Sequence, residues 1–169
     1  VGVDGHGTRR GNPMTPQFTW EAMSFLSQYG MLLDQDRLED WVQLFDPQAE
    51  YKVYSRENEE LGLPAPLIWC DNRAMLSDRI QSYRNVNEHN FHWARHIIGM
   101  PQILHAEPES LHFQAGYSLF QTNLEGETRT FSVGRYDFVC HRHEQALRLK
   151  RAWVIADTGL VKTLLAAPI

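Results

Sequence analysis

The residues able to do chemistry in this 169-residue chain fall into three groups. The first is a run of metal-binding types, Glu88, His89, His92 and His96. On a helix, Glu88, His92 and His96 would share a face and offer two imidazoles and a carboxylate, the donor set of a mononuclear iron site. Gly99, Pro101 and the β-branched pair Ile97-Ile98 oppose a helix there, and on a strand only His92 and His96 face the same way. The run reads either as a metal site or as solvated and structural histidines. The second group is Asp34, at the end of an N-terminal helical pattern, with His96. Brought together inside the fold they would form an acid–base pair, with Tyr29, Tyr51 or Tyr54 available to polarise a carbonyl. The same two residues could equally end a helix and hydrogen-bond within a core. The third group is Cys70 and Cys140. A Rieske cluster needs two cysteines, each beside a histidine. Cys140-His141-Arg142-His143 offers one half, but Cys70-Asp71-Asn72-Arg73 offers no histidine, so the chain cannot complete the cluster and the cysteines read as reduced thiols. There is no GxGxxG, P-loop, GxSxG or HExxH.

The elements that must position these residues change period near Arg95-His96-Ile97-Ile98-Gly99-Met100-Pro101. Before this run the apolar residues recur at helical spacing; after it they alternate. Ala22, Phe25, Leu26, Tyr29, Leu32 and Leu33 predict a helix over 17–33. Asp36, with Glu39 three residues later, predicts a capped second helix with Leu38, Trp41, Val42 and Phe45 on its face, ended by Asp46-Pro47. A first strand is expected over 49–55, a long loop over 56–66, and a short apolar segment over 67–70. A third helix, capped by Asp71 or Asn72, carries Leu76, Ile80 and Tyr83. Strands then follow over 94–106, bent at Gly99 and Pro101, and over 110–122. After a hairpin loop at 123–126 comes a strand over 128–141, where a parity slip predicts a bulge near Gly134. The next strand, 146–157, places Leu147, Leu149, Trp153 and Ile155 on one face. A last short strand or tail is expected over 161–169.

The fold class is therefore α+β: N-terminal helices packed on a strongly curved antiparallel sheet, a cone or roll. Such a cone either encloses a pocket or uses its outer face as an interface; large side chains such as Trp20, Phe25, Trp41 and Phe45 would decide by filling the inside. Residues 1–16 read as a leader or arm, and residues 17–169 as one domain. A formal net charge of -5 opposes a nucleic-acid or anionic-membrane surface. The absence of a long apolar run and of a signal-peptide pattern points to the cytoplasm. Arg95, Arg135 and Arg151, on neighbouring strands, would meet either acidic groups of a partner or internal carboxylates such as Asp137, since unpaired burial is costly.

Several stretches together resemble the small (β) subunit of aromatic-ring-hydroxylating dioxygenases, the Rieske non-haem iron oxygenases. They are Leu33-Asp34, Trp41-Val42-Gln43-Leu44-Phe45, Gly62 to Asn72, Met75-Leu76-Ser77-Asp78-Arg79-Ile80, Arg95-His96-Ile97-Ile98-Gly99, Arg148-Leu149-Lys150-Arg151, Val154 to Thr158 and Thr163 to Ile169. The likeness runs from about Phe18 to Ile169. It implies the NTF2-like or SnoaL-like cone, in agreement with the fold read above. It also implies a non-catalytic subunit that supports assembly with a larger α subunit, in a heterohexamer (α3β3) with sister β subunits. The Rieske 2Fe-2S cluster and mononuclear Fe(II) would lie in α, with NAD(P)H entering through a separate reductase or ferredoxin and no cofactor in this chain. The stretches 63–72 and 75–80 look most similar to members acting on aromatic carboxylic acids such as terephthalate, salicylate or anthranilate. Expected interface residues are Trp69, Arg95, Arg151 and Trp153, because aromatic and arginine residues dominate hot spots. The alternative is a stand-alone cone dehydratase or isomerase using Asp34 and His96.

Overall fold

The computed structural model describes residues 15–63, 65–86, 92–157 and 168–169. The first helix, α1 (Thr15–Asp34), buries Ala22, Phe25, Leu26, Tyr29, Leu32 and Leu33, the stripe expected from its spacing, and Phe18 as well. It ends in a Schellman closure: the Asp36 N–H donates to Leu33 O at 3.1 Å and the Arg37 N–H to Leu32 O at 2.9 Å. Asp36 occupies the left-handed position at φ 56°, which Asp tolerates better than most residues. It therefore does not cap the second helix. Arg37 takes the N-cap place of α2 (Leu38–Val42) without a side-chain cap bond, and Asp36 pairs with Arg84 instead.

Phe45, expected on that helix, opens strand β1 (Phe45–Ser55), which starts before the expected Ala49. Asp46-Pro47 thus lies inside a strand, in a stretch where the pairing register shifts and a proline removes no ladder bond. The expected loop contains a one-turn helix, α3 (Arg56–Glu60), capped by Ser55, whose Oγ accepts from the Asn58 N–H at 3.2 Å. Strand β2 (Ile68–Cys70) and helix α4 (Arg73–Val86) follow. Asn72 caps α4 by accepting the Met75 N–H at 2.9 Å.

The remaining strands are β3 (Trp93–Ile98), β4 (Gln102–Glu107), β5 (Ser110–Thr122), β6 (Thr128–His143) and β7 (Ala146–Ala156). Gly99 and Pro101 divide the expected 94–106 strand into β3 and β4, which pair with successive parts of β5. The sheet order is β2-β1-β7-β6-β5-β3, and the β1–β7 pair is parallel whereas its neighbours are antiparallel.

Bulges set which side chains face inward. On β6 the extra residue is Phe131, between the pairs Leu119–Ser132 and Phe120–Thr130. The bulge expected near Gly134 thus falls at Phe131, and Gly134 itself stays in both ladders, where β7 passes so close that a Cβ would lie 2.0 Å from Ile155 O. A second bulge leaves Lys150 unpaired on β7. Leu149 and Trp153 therefore lie on opposite faces, correcting the single face read from the sequence; Ala152 and Val154 follow Leu149 inward.

The cone is filled by Tyr29, Trp41, Phe45, Tyr51, Phe113, Tyr136 and Phe138, each at most 1% exposed. Tyr29 meets Trp41 and Tyr136 edge-on at centroid distances of 5.5 and 5.4 Å, and Trp41 meets Tyr51 at 5.6 Å. Phe25 is buried as expected, but Trp20 is 70% exposed on the far side of α1. Of the expected last strand, residues 161–167 lie outside the described residues; Ile169 is buried among the core aromatics.

Candidate functional site

Two places gather the chemistry. The first is the outer face of the sheet. Register places Trp69, Lys52, Trp153, Asp137 and Gln114 on one line across β2, β1, β7, β6 and β5. Lys52 Nζ stands 5.0 Å from the Trp69 ring centre and 5.7 Å from that of Trp153, and pairs with Glu50 at 2.6 Å. Trp153 Nε1 donates to the same Glu50 carboxylate at 2.7 Å, and the Arg151 guanidinium lies 4.1 Å from the Trp153 ring centre. Arg151 also pairs with Asp137 at 2.7 Å; that carboxylate accepts from Gln114 at 2.6 Å and bonds His112 at 3.0 Å. Partial burial pushes the Asp137 carboxyl up, but the bonds from Gln114, Arg151 and His112 outweigh it and hold the group below the usual range. Glu50 behaves alike: burial raises it, and Lys52 and Trp153 bring it below its ordinary value. Trp69 is 58% exposed at the margin, and Leu61, Leu63 and Leu67, which precede it in the chain, are exposed as well.

Three of the four expected interface residues, Trp69, Arg151 and Trp153, thus come together. Arg95 does not: it extends from β3 at the other end of the sheet, beside exposed Trp93 and Ile97, with Nη1 3.5 Å from Asp34. Arg135 pairs with Glu59 at 3.0 Å, so the three arginines each meet a carboxylate of this chain; only Arg135 and Arg151 lie on neighbouring strands, because β5 stands between β3 and β6. The reading from spacing missed Lys52 and Glu50. Their alternation with Tyr51 and Val53 marks them as outward-facing, but only the parallel β1–β7 register brings them to Trp153.

The second place is inside. Asp34 and His96 do meet: His96 Nδ1 donates to Asp34 Oδ1 at 2.7 Å, and the His96 backbone N–H donates to the same carboxylate at 2.9 and 3.2 Å. β3 is the edge strand of the sheet, so Asp34 satisfies an N–H that no neighbouring strand can take. The side chains of Asp34 and His96 are 8% and 1% exposed. His96 Nε2 and the Tyr136 hydroxyl are buried without a hydrogen-bond partner among the described residues. Tyr29 and Tyr51, offered as groups that could polarise a substrate carbonyl, are engaged by the chain's own Ile169 O at 2.8 and 3.4 Å, while Tyr54 packs outside against Trp153 at 6.0 Å.

The metal-binding run is only partly described, since Glu88 and His89 lie outside the described residues. His92 Nε2 bonds the Gln121 amide at 3.1 Å and His96 turns to Asp34. Among the described residues no three His, Cys, Asp or Glu gather to hold a metal ion. Nor do the cysteines fit a Rieske cluster. β1 and β7 lie between Cys70 and Cys140, three strand spacings of ~4.8 Å. His141 beside Cys140 is engaged by Asp46 at 2.9 Å. Burial pushes both thiols up, which disfavours the thiolate that a cluster ligand must be. No described helix is long and apolar enough to cross a membrane.

A curled sheet closed over α1, with a packed aromatic interior, defines an NTF2-like cone. A family model described as the ring-hydroxylating β subunit matches residues 29–163. The anthranilate 1,2-dioxygenase small subunit of Burkholderia cepacia is 36% identical over 152 residues, 89% of this chain and 94% of that protein. Subunit beta 1 of the terephthalate 1,2-dioxygenase terminal oxygenase component of a Comamonas species is 30% identical over 146 residues, covering 86% and 95%. A crystal structure from Novosphingobium aromaticivorans, described as an aromatic-ring-hydroxylating dioxygenase β subunit, superposes with a TM-score of 0.84 at 37% identity, covering 92% of this chain and 99% of that one. The chain belongs to the ring-hydroxylating dioxygenase β-subunit family, as its sequence resemblance implied.

Proposed function

We propose that this chain assembles with a larger oxygenase subunit and with sister copies of itself, three of each, to oxidise an aromatic carboxylic acid in the cytoplasm. The relatives from anthranilate and terephthalate dioxygenases support that substrate class. The larger subunit would carry the Rieske 2Fe-2S cluster and the mononuclear Fe(II), fed with electrons from NAD(P)H by a reductase or ferredoxin. The role of this chain is scaffolding. The observation that carries it is the outer sheet face, where a self-neutralised row of aromatic and charged side chains ends in an exposed tryptophan. Such a row can be covered by a partner without stranding a charge, because Lys52, Glu50, Arg151 and Asp137 already satisfy one another. Trp69 and Trp153 are the anchors, with Arg151 between them and Arg95 contacting a different neighbour at the β3 end. Asp34 and His96 hold α1 to the sheet edge in this reading, because aromatic side chains occupy the volume beside them.

Trp69→Ala is the informative variant. Trp69 is largely exposed and lies beside the Lys52 ammonium, so the isolated subunit should keep its stability. Loss of a hot-spot tryptophan costs about 2 kcal/mol or more, roughly 30-fold in affinity. Co-expression with the larger subunit, followed by native mass and iron analysis, should give the unsubstituted complex with equal subunit numbers and iron only when the partner is present. The variant should dissociate at higher concentration. An intact complex of unchanged stability would remove Trp69 from the interface, and an iron-free chain that joins no partner would overturn the assembly itself.

A further inference from the structure

Helix α1 keeps one face in the core and leaves the other uncovered. Trp20, Ser24, Ser27 and Met31 lie half a turn round from the buried stripe, with Met23 and Gln28 on either side. Trp20 is 70% and Met31 54% exposed. They help to line a groove of about 750 Å³, which Arg37 and Asp40 of α2 wall at its C-terminal end. The uncovered face presents no charge. Glu21 and Asp34, the two acidic residues of α1, are engaged by Arg142 at 2.8 Å and by His96 at 2.7 Å. A solvated helix face normally carries charged residues, whereas the core of an interface is depleted of them. A net charge of -5 makes two copies of the chain repel, and an uncharged face is where that repulsion is least. The face is also its own complement. Trp20 and Met31, Met23 and Gln28, and Ser24 and Ser27 stand at equal distances on either side of the point between Phe25 and Leu26. On a second α1 laid antiparallel about a two-fold axis through that point, Trp20 of each copy meets Met31 of the other, a thioether against an indole ring. Ser24 and Ser27 meet at the crossing, where small side chains let the helix axes approach to about 8 Å. Charge agrees with this pairing. The Arg37–Asp40 pair of one copy would border the first turn of the facing α1, which has no acidic side chain of its own. Arg37 donates to Asp40 Oδ2 at 2.8 and 2.7 Å, so the carboxylate is held where it meets the positive end of that helix dipole.

We propose that α1 docks on the α1 of a second copy of this chain, antiparallel and two-fold, with Trp20 of each copy against Met31 of the other. One helix face is smaller than the roughly 20–30 residues a side of a standard interface, so the pair should be weak, with a dissociation constant on the order of tens of micromolar. A two-fold contact closes at two copies, whereas three sister copies around an axis meet head to tail. The α1 contact is therefore separate from the three-of-each assembly and would join one assembly to another.

Sedimentation equilibrium of the full chain, from about 1 μM to about 1 mM, tests this. The unsubstituted chain should pass reversibly from monomer to dimer. Trp20→Glu and Met31→Lys, both at exposed positions that leave the fold intact, should each weaken the dimer at least tenfold. The double variant should be at least threefold tighter than either single one, because an antiparallel pair sets the introduced carboxylate against the introduced ammonium of the other copy. Trp69→Ala should leave the dimer unchanged. A chain that stays monomeric over the whole range overturns the proposal. So does a dimer that Trp20→Glu leaves intact or that Trp69→Ala abolishes, which would put the contact on the sheet. A double variant no tighter than the single ones overturns the antiparallel pairing. If Trp20→Glu instead releases the larger subunit from the assembled complex, α1 faces that subunit and the proposal falls.

Discussion

Asp34 accepts from three donors, the His96 backbone N–H, His96 Nδ1 and Arg95 Nη1, and so ties the end of α1 to the edge of the sheet. Replacing it by alanine leaves a buried N–H and an imidazole N–H unpaired, at a cost of about 1–3 kcal/mol for each unsatisfied group. Urea unfolding of Asp34→Ala should show a lower midpoint with an unchanged slope, and Asp34→Asn should recover part of the loss. Unchanged stability in Asp34→Ala would mean the carboxylate is retained for another purpose, and the acid–base alternative would return. Acid should act at the same scale. Glu50 and Asp137 sit below their ordinary values in the folded chain. Their contribution is complete above the unfolded carboxylate pKa of about 4 and is lost as pH falls through the lower folded values. The melting temperature should therefore drop below about pH 4. The double variant Glu50→Gln, Asp137→Asn should drop less steeply; an equal slope would show that other carboxylates govern the acid limb.

At the scale of elements, two single-residue bulges decide the outer face. Phe131 and Lys150 each add one residue to a ladder and thereby choose which neighbours point outward. Were Lys150 paired in a regular ladder, Leu149 and Trp153 would share a face, and the tryptophan would enter a core that has no room for it. At Gly134, β7 passes too close to β6 to leave room for a Cβ. Gly134→Ala forces a Cβ against the Ile155 carbonyl, a backbone atom that cannot swing aside. The expected loss is about 3 kcal/mol, the upper part of the overpacking range, seen as a lower urea midpoint for the isolated subunit. A loss under about 0.5 kcal/mol, the size of an ordinary surface substitution, would mean the strands separate without penalty. Neither bulge could be located from the sequence. A parity slip shows that an extra residue exists, but its position depends on which partner residues pair, and that is fixed across strands.

For the whole molecule, the strand order puts chemistry on the outside and bulk on the inside. The parallel β1–β7 pair brings Lys52 and Glu50 beside Trp153, more than 100 residues along the chain, and completes the row that ends at Trp69. The same closure carries Ile169 to Tyr29 and Tyr51. The alternation after Gly99, the helical stripe of α1 and a cap at Asp71 or Asn72 were all legible in the chain, as was the break at Gly99 and Pro101, because each depends on neighbours a few residues away. The meeting of Asp34 with His96 was legible only as a possibility, and the motif resemblance supplied the family. What the tertiary structure alone decided was the left-handed turn at Asp36, the extension of β1 through Pro47, the faces of β6 and β7, and the grouping of Trp69, Arg151 and Trp153 away from Arg95. The physical reason is common to these: local patterns set period and punctuation, whereas register, bulge position and the burial of a remote residue are settled by contacts between segments far apart in the chain.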